Sequence, residues 1–377
     1  ACSACHAKRG DAWAARAMEE WRGGSPLPAD FAVRLHAREG GGSAARRELE
    51  SLMGDANAPP IARATALLEL EAEPRRDEIE RAARSPEPLL RLAAARSASG
   101  LSPRERVLGI VHLLDDPLRA VRIEAANSLA EVPDDGLPEP RRASRSRALE
   151  EYRAALTVAS DSPAAHANLA VILHQQEDLA AAEAAYQTAL RLGDTFVPAY
   201  SGLVDLYAAQ ERNADAAALL HRGLERMPES ADLHYMLGVL LLRQEKNRRA
   251  IDELAKAARF APESAYFTYV YALALSEDRH PAKALAALRA AVKLHPADQN
   301  LLGAIATIAR GAGRYDEALA AAKRLAELFP DQPEARAMLE DIESRRAGGP
   351  GVPAPADETA PAADTAPAPE TAPATPE

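Results

Sequence analysis

The chain has 377 residues, 47% of them hydrophobic but only 4% aromatic, with a net charge of −11. Its apolar content is therefore mostly Ala and Leu, strong helix formers, which predicts an all-α protein. Bases scattered among a larger number of acids argue against nucleic acid as a partner, and no apolar run approaches the roughly 18 residues of a membrane span.

In chain order the first signal is Cys2-Ser3-Ala4-Cys5-His6, a C-x-x-C-H motif. It is the pattern for attaching a c-type haem: Cys2 and Cys5 bind the porphyrin through thioethers and His6 supplies an axial nitrogen to the iron. The bland alternatives are a dithiol pair, half a zinc site or chance. There is no second Cys pair to complete a zinc site, and no strand pattern to build a thioredoxin-like unit. Haem c attachment would place the protein in the periplasm. A motif so close to Ala1, with no leader visible, leads to the expectation that further N-terminal residues, and further haem motifs, precede this sequence. Residues 1–40 are read as the end of a haem domain. Within it, Trp13 and Trp21 sit eight apart on a predicted helix, for porphyrin packing or an ordinary core face. His36 is a candidate sixth ligand, with Met18 as the weaker alternative.

Residues 41–137 read as short amphipathic helices with a loose repeat. Pro60-Ile61-Ala62-Arg63, Pro88-Leu89-Leu90-Arg91 and Arg119-Ala120-Val121-Arg122 each open an Ala-rich helix. Pro at a helix start is tolerated because its missing N–H would have no partner there. The stretch Asp115-Asp116-Pro117-Leu118-Arg119-Ala120-Val121-Arg122 resembles the second helix of a HEAT-type repeat; an irregular bundle is the plainer alternative. Residues 138–147, within a Pro- and Arg-rich stretch starting at Pro133, read as a linker.

From Ala148 to Arg346 the repeat is strict. Pro228, Pro262, Pro296 and Pro330 recur every 34 residues, the tetratricopeptide (TPR) period. Ala182, Ala216, Ala250, Ala284 and Ala318 fall in register as the small residue of the second helix. Leu169, Leu203, Leu237, Tyr271 and Ile305 fill the large slot of the first. In the adjoining small slot Val204 departs from the pattern, and in the second helix's large slot Ala322 does. Repeat units of this kind stack into a superhelix whose concave groove is lined by first helices. Asn168, His174, Ser201, Asp205, Tyr235, Val239, Tyr266, Tyr269 and Thr307 are the candidate groove residues. A Tyr-rich groove suits an extended peptide or a partner helix; packing against the chain's own haem region is the alternative. Residues 347–377 collapse to Ala, Pro, Thr and acids and read as a disordered tail.

The order of haem motif, Trp helix, HEAT-like helices and TPR array resembles that of bacterial multihaem cytochrome c proteins with C-terminal tetratricopeptide repeats, over about residues 1–346. The resemblance implies a periplasmic electron-transfer protein whose repeats dock a redox partner protein or peptide, with Cys2, Cys5 and His6 as its haem residues. Only one haem motif is present, so any multihaem activity would lie beyond this chain. Three readings stand: an electron carrier with a docking scaffold, a scaffold in which C-x-x-C-H is incidental, and a piece of a multihaem oxidoreductase. No nucleophile–base pair or phosphate loop is recognisable.

Overall fold

In a computed structural model of the protein, the described residues are 31–36, 41–70, 75–158 and 160–348, with helical positions 13, 16, 17, 20 and 21. Every regular element among them is a helix. Trp13 and Trp21 are both helical, but Trp21 is 79% exposed, so the two rings do not share a core face. A short helix α1 (Phe31–His36) leads into two helix pairs, α2 (Gly42–Gly54) with α3 (Pro60–Glu69) and α4 (Arg76–Ala83) with α5 (Pro88–Ser97). Then comes α6 (Pro103–Ile110), joined to α7 (Arg119–Ser128) by a 3-10 turn (Val111–Asp115) that packs on α7. Helices α3, α5 and α7 pack in succession, giving two layers around one core that includes Leu52, Leu67, Ile79, Leu90 and Leu113.

The repeated arginines of this block have a common task. Arg63 donates to the Met53 carbonyl at 3.0 Å. Arg91 reaches the Ser85 and Pro86 carbonyls and the buried Asp116 carboxylate, the last at 2.6 and 3.2 Å. Arg122 donates to the Asp116 and Pro117 carbonyls and to Glu151. Each arginine lies in the first turn or so of its helix and satisfies carbonyls that the preceding helix or turn leaves without an intrahelical partner.

The expected linker at 138–147 is instead the first half of a 20-residue helix, α8 (Glu139–Val158). Pro138 precedes the helix and Pro140 occupies its first turn, where proline is compatible with helix. The arginines that resemble a loop signal are tied down: Arg142 donates to the Leu137 carbonyl, and Arg145 to the carbonyls of Leu129 and Val132. Ala148 and Leu149 pack on the first block's core, and the far end of α8 meets the next array.

Five helix pairs follow: α9 (Pro163–Gln175) and α10 (Leu179–Leu192), α11 (Val197–Ala209) and α12 (Asn213–Arg226), α13 (Ala231–Arg243) and α14 (Asn247–Phe260), α15 (Ala265–Glu277) and α16 (Pro281–Leu294), α17 (Gln299–Gly311) and α18 (Tyr315–Leu328). A final helix, α19 (Pro333–Arg346), covers the last pair. All five registered alanines are fully buried, as the close crossing of two helices requires. Ala322 is buried as well. Val204 is buried in its slot, and two residues earlier the Tyr186 ring of the preceding repeat lies over Gly202, where a Cβ would meet the ring at 2.2 Å.

Each first helix ends the same way. Glu177, Glu211, Glu245, Arg279 and Gly313, spaced 34 apart, adopt φ between 57° and 72°. The next residue's N–H reaches back five residues, as Arg212 does to Tyr207 at 2.8 Å. This is the left-handed helix stop that glycine fills without strain; four of the five positions hold it with a side chain.

Candidate functional site

Successive first helices touch along most of the array, α9 with α11, α11 with α13 and α15 with α17, which puts them on the inner wall of the curve. The joint between α13 and α15 is looser. It also coincides with a break in the core: one apolar cluster runs from Ala167 to Ala250, and the next from Ala272 to Ile342. Aromatic rings fill this seam. Tyr235 on α13 lies 5.1 Å from the Phe267 ring on α15 and 5.6 Å from that of Tyr266, and Tyr266 lies 6.4 Å from Tyr269. The Tyr235 and Tyr266 hydroxyls are 3.1 Å apart. Burial, and then this hydrogen bond, hold the Tyr235 phenol well above the usual tyrosine range. Tyr266 remains 52% exposed, so the cluster is a surface and not a sealed core.

Tyr269 continues from the cluster into a cavity of about 340 Å³, whose walls include Leu273, Asn300, Thr307, Glu334 and Met338. Gln299 donates to Gln332 at 2.8 Å on its rim. The lining is apolar with amide and hydroxyl groups and a single carboxylate. A larger hollow of about 530 Å³ opens on the other side, between α10 and α12, but two of its charges are paired with each other, Arg226 to Asp194 at 3.1 Å.

Of the groove residues expected from the sequence, Tyr235, Tyr266, Tyr269 and Thr307 come together here. Asp205 joins them at longer range, its charge adding to the upward push on Tyr235. Ser201 shares the 34-residue register of Tyr235 and Tyr269, and Val239 that of Asp205 and Thr307, farther along the array. Asn168 is exposed and His174 half-buried on α9, outside the cluster. Phe267, Leu273 and Asn300 were not anticipated. Register would have found two of them, since Leu273 stands 34 residues after Val239 and Asn300 34 after Tyr266.

His234, also unanticipated, is buried against the Phe260 ring and faces Glu253 at 2.5 Å and the Pro228 carbonyl at 3.0 Å. Both ring nitrogens are occupied within its own repeat, so it serves the packing of that repeat.

Cys2, Cys5, His6 and Met18 lie outside the described residues, as does the tail from 349. His36 closes α1 at an exposed position, while Arg34 anchors that helix to Glu48 and Asp55. No group of three or more His, Cys, Asp or Glu among the described residues could hold a metal ion, and no described helix is long and apolar enough to cross a membrane.

Sequence models of the tetratricopeptide repeat match residues 141–195, 202–265 and 275–342. None of the curated proteins compared with the chain matches it. Among solved structures, yeast Tom70 is 15% identical, with 81% of this chain and 59% of that one covered, at a TM-score of 0.51. YrrB, a TPR protein described as having an unusual peptide-binding site, is 22% identical over 49% of this chain and 95% of its own, at a TM-score of 0.37. MamA is 22% identical over 44% of this chain and 90% of its own, also at 0.37. The likeness to Tom70 is one of fold, and the other two superpose too loosely to add to it. Between residues 141 and 342, the chain carries an array of tetratricopeptide repeats in an all-helical solenoid.

Proposed function

We propose that the chain is a docking scaffold that holds an extended segment of a partner protein across the α13–α15 seam. The observation that carries this reading is the half-open aromatic cluster of Tyr235, Tyr266, Phe267 and Tyr269, continuous with a cavity that carries a single carboxylate, at a break in the core. Binding sites favour such junctions between packed units, and rigid aromatic side chains anchor partners at low entropic cost. Few charges line the site, so the segment it takes is apolar or hydroxyl-rich. A peptide library panned on the full chain tests the reading. Selected peptides should lose about tenfold or more in affinity on Tyr266→Ala or Tyr269→Ala, a hot-spot loss of about 1.4 kcal/mol or more. Peptides indifferent to both substitutions would move the site elsewhere.

A second reading rests on the N-terminal motif. Two thiols at C-x-x-C spacing followed by an imidazole are the donor set a covalent haem c takes, and we propose that Cys2, Cys5 and His6 hold one. Bound there, the haem would supply one-electron transfer, and attachment would place the chain in the periplasm beside a redox partner. Haem staining of a denaturing gel after co-expression with a cytochrome c maturation system tests it. A stained band that disappears in Cys2→Ala and Cys5→Ala is expected; an unstained wild-type band leaves the docking function alone.

A further inference from the structure

The tail contains a repeat of its own. Glu358-Thr359-Ala360-Pro361-Ala362-Ala363, Asp364-Thr365-Ala366-Pro367-Ala368-Pro369 and Glu370-Thr371-Ala372-Pro373-Ala374-Thr375 are three copies of acid-Thr-Ala-Pro-Ala-x. A polyproline II chain turns once in three residues. A period of six therefore puts every acid and every Ala-Pro-Ala proline on one edge. The other two edges carry Thr359, Ala362 and Thr365, and Ala360, Ala366 and Pro369, with no charge at all within the three copies. Such a ribbon has one wet edge and two apolar ones.

We propose that this tail lies in its own chain's groove across the α13–α15 seam, with its Thr/Ala edges on Tyr235, Tyr266 and Tyr269 and its acidic edge toward water. The proposal rests on the docking reading above and names the occupant. Three observations support it. The first is chemical fit. Aromatic-lined grooves take polyproline II segments, and such a segment has no internal hydrogen bonds, so its carbonyls need donors. Tyr266, Asn300 and Thr307 present hydroxyl and amide groups at the site.

The second is electrostatic. The site carries the carboxylates of Asp205 and Glu334, with the Arg243 guanidinium also acting on Tyr235. The two carboxylates would repel the acidic edge and accept the uncharged ones, which favours the proposed orientation of the ribbon. The third is reach. Helix α19 brings Glu334 and Met338 to the cavity and ends at Arg346, about 12 Å beyond Met338 along its axis at 1.5 Å per residue. In polyproline II form, residues 349–357 would span about 28 Å at 3.1 Å per residue, enough to return to the cavity before the first hexapeptide begins.

Hydrogen exchange on the full chain and on a variant ending at Gly348 tests the proposal, together with a synthetic peptide of residues 357–376. Helices α13 and α15 should exchange about tenfold faster without the tail, at every protein concentration. The peptide should bind the shortened chain at least tenfold more tightly than the full one. In the full chain, Ala360→Asp, Ala366→Asp and Ala372→Asp together should expose the groove as truncation does. Glu358→Gln, Asp364→Asn and Glu370→Gln together should leave it protected. Equal exchange in full and shortened chains overturns the proposal, and so does protection that grows with concentration, which would mark the tail of a second copy. If library peptides still bind the shortened chain through Tyr266 while the tail peptide does not, the tail proposal fails and the docking reading stands.

Discussion

The two helical arrays hold their repeats together by different means. In residues 42–137, arginines lace one pair to the next, Arg46 to the buried Glu78 at 3.0 Å and Arg91 to the buried Asp116, and Arg106 ties α6 to the Ser128 carbonyl at the end of α7. In the tetratricopeptide array the joints are apolar slots of fixed size, and cross-repeat ion pairs such as Arg212–Glu183 and Arg289–Glu317 sit toward the surface. Short, irregular helices leave many carbonyls open at their ends and need long donors to satisfy them. A strict 34-residue unit presents a small alanine to the same crossing each time and leans on such donors less, with Arg310 to the buried Asp341 of the final helix as an exception. The difference lies in which fault each array can tolerate.

The largest effect should come from cutting a lace. Arg91→Ala leaves the Asp116 carboxylate buried without its partner and should cost about 3–5 kcal/mol. Local hydrogen-exchange stability of α5 and α7 measures it. A loss below that of the next substitution would erase the contrast between the arrays. Ala250→Leu places three extra carbons at a fully buried crossing and should cost about 1–3 kcal/mol, read on α13 and α14. Its effect should stay within the neighbouring repeats, as expected of an array in which each unit touches only the next.

Smaller effects belong to the helix stops. Gly313→Ala should destabilise by about 1 kcal/mol, and Glu211→Gly should stabilise by somewhat less, because both sit at positive φ. Thermal midpoints of the two variants check the opposite signs.

Acid should separate the cross-repeat glutamates from Glu78 by the direction of their shifts. The Arg212 and Arg289 guanidiniums hold Glu183 and Glu317 below the ordinary glutamate value of 4.5. Their contribution is present above that value and lost as pH falls through the lowered one. Burial pushes Glu78 above 4.5, against the pull of Arg46. Its contribution is present at low pH and lost as pH rises through the raised value. On acidification, exchange in α10, α12, α16 and α18 should quicken before that in α4.

How much of this could be read from the sequence depended on what kept the residues in place. The 34-residue register was legible because buried crossings admit only small side chains, so Ala182 to Ala318 had no freedom to vary. The groove residues Tyr235 and Tyr269 followed from the same register. The seam did not, because it arises from the spacing of α13 and α15, which no single side chain encodes. Helix α8 was misread for a physical reason. Pro138, Pro140 and the run from Arg141 to Arg147 have the composition of a loop. Their helical state depends on distant acceptors, the carbonyls of Leu129 and Val132 and the carboxylate of Asp134. The haem motif was the plainest text in the chain, and it lies where the structure is silent.

That misread helix has a mechanical consequence. Because α8 runs unbroken from the first array into the second, helical phase helps set their relative orientation, beside a second contact in which α2 meets α18 and Arg47 reaches Asp331 at 3.4 Å. Each residue of an α-helix advances about 1.5 Å and turns about 100°. Inserting or deleting one residue in its middle would turn the far half of α8 by over a quarter of a turn and set it against the contact between α2 and α18. Insertions of seven, close to two full turns, would nearly restore it. The segment that looks most like a hinge thus acts as a crankshaft, and its length helps set the direction in which the groove faces.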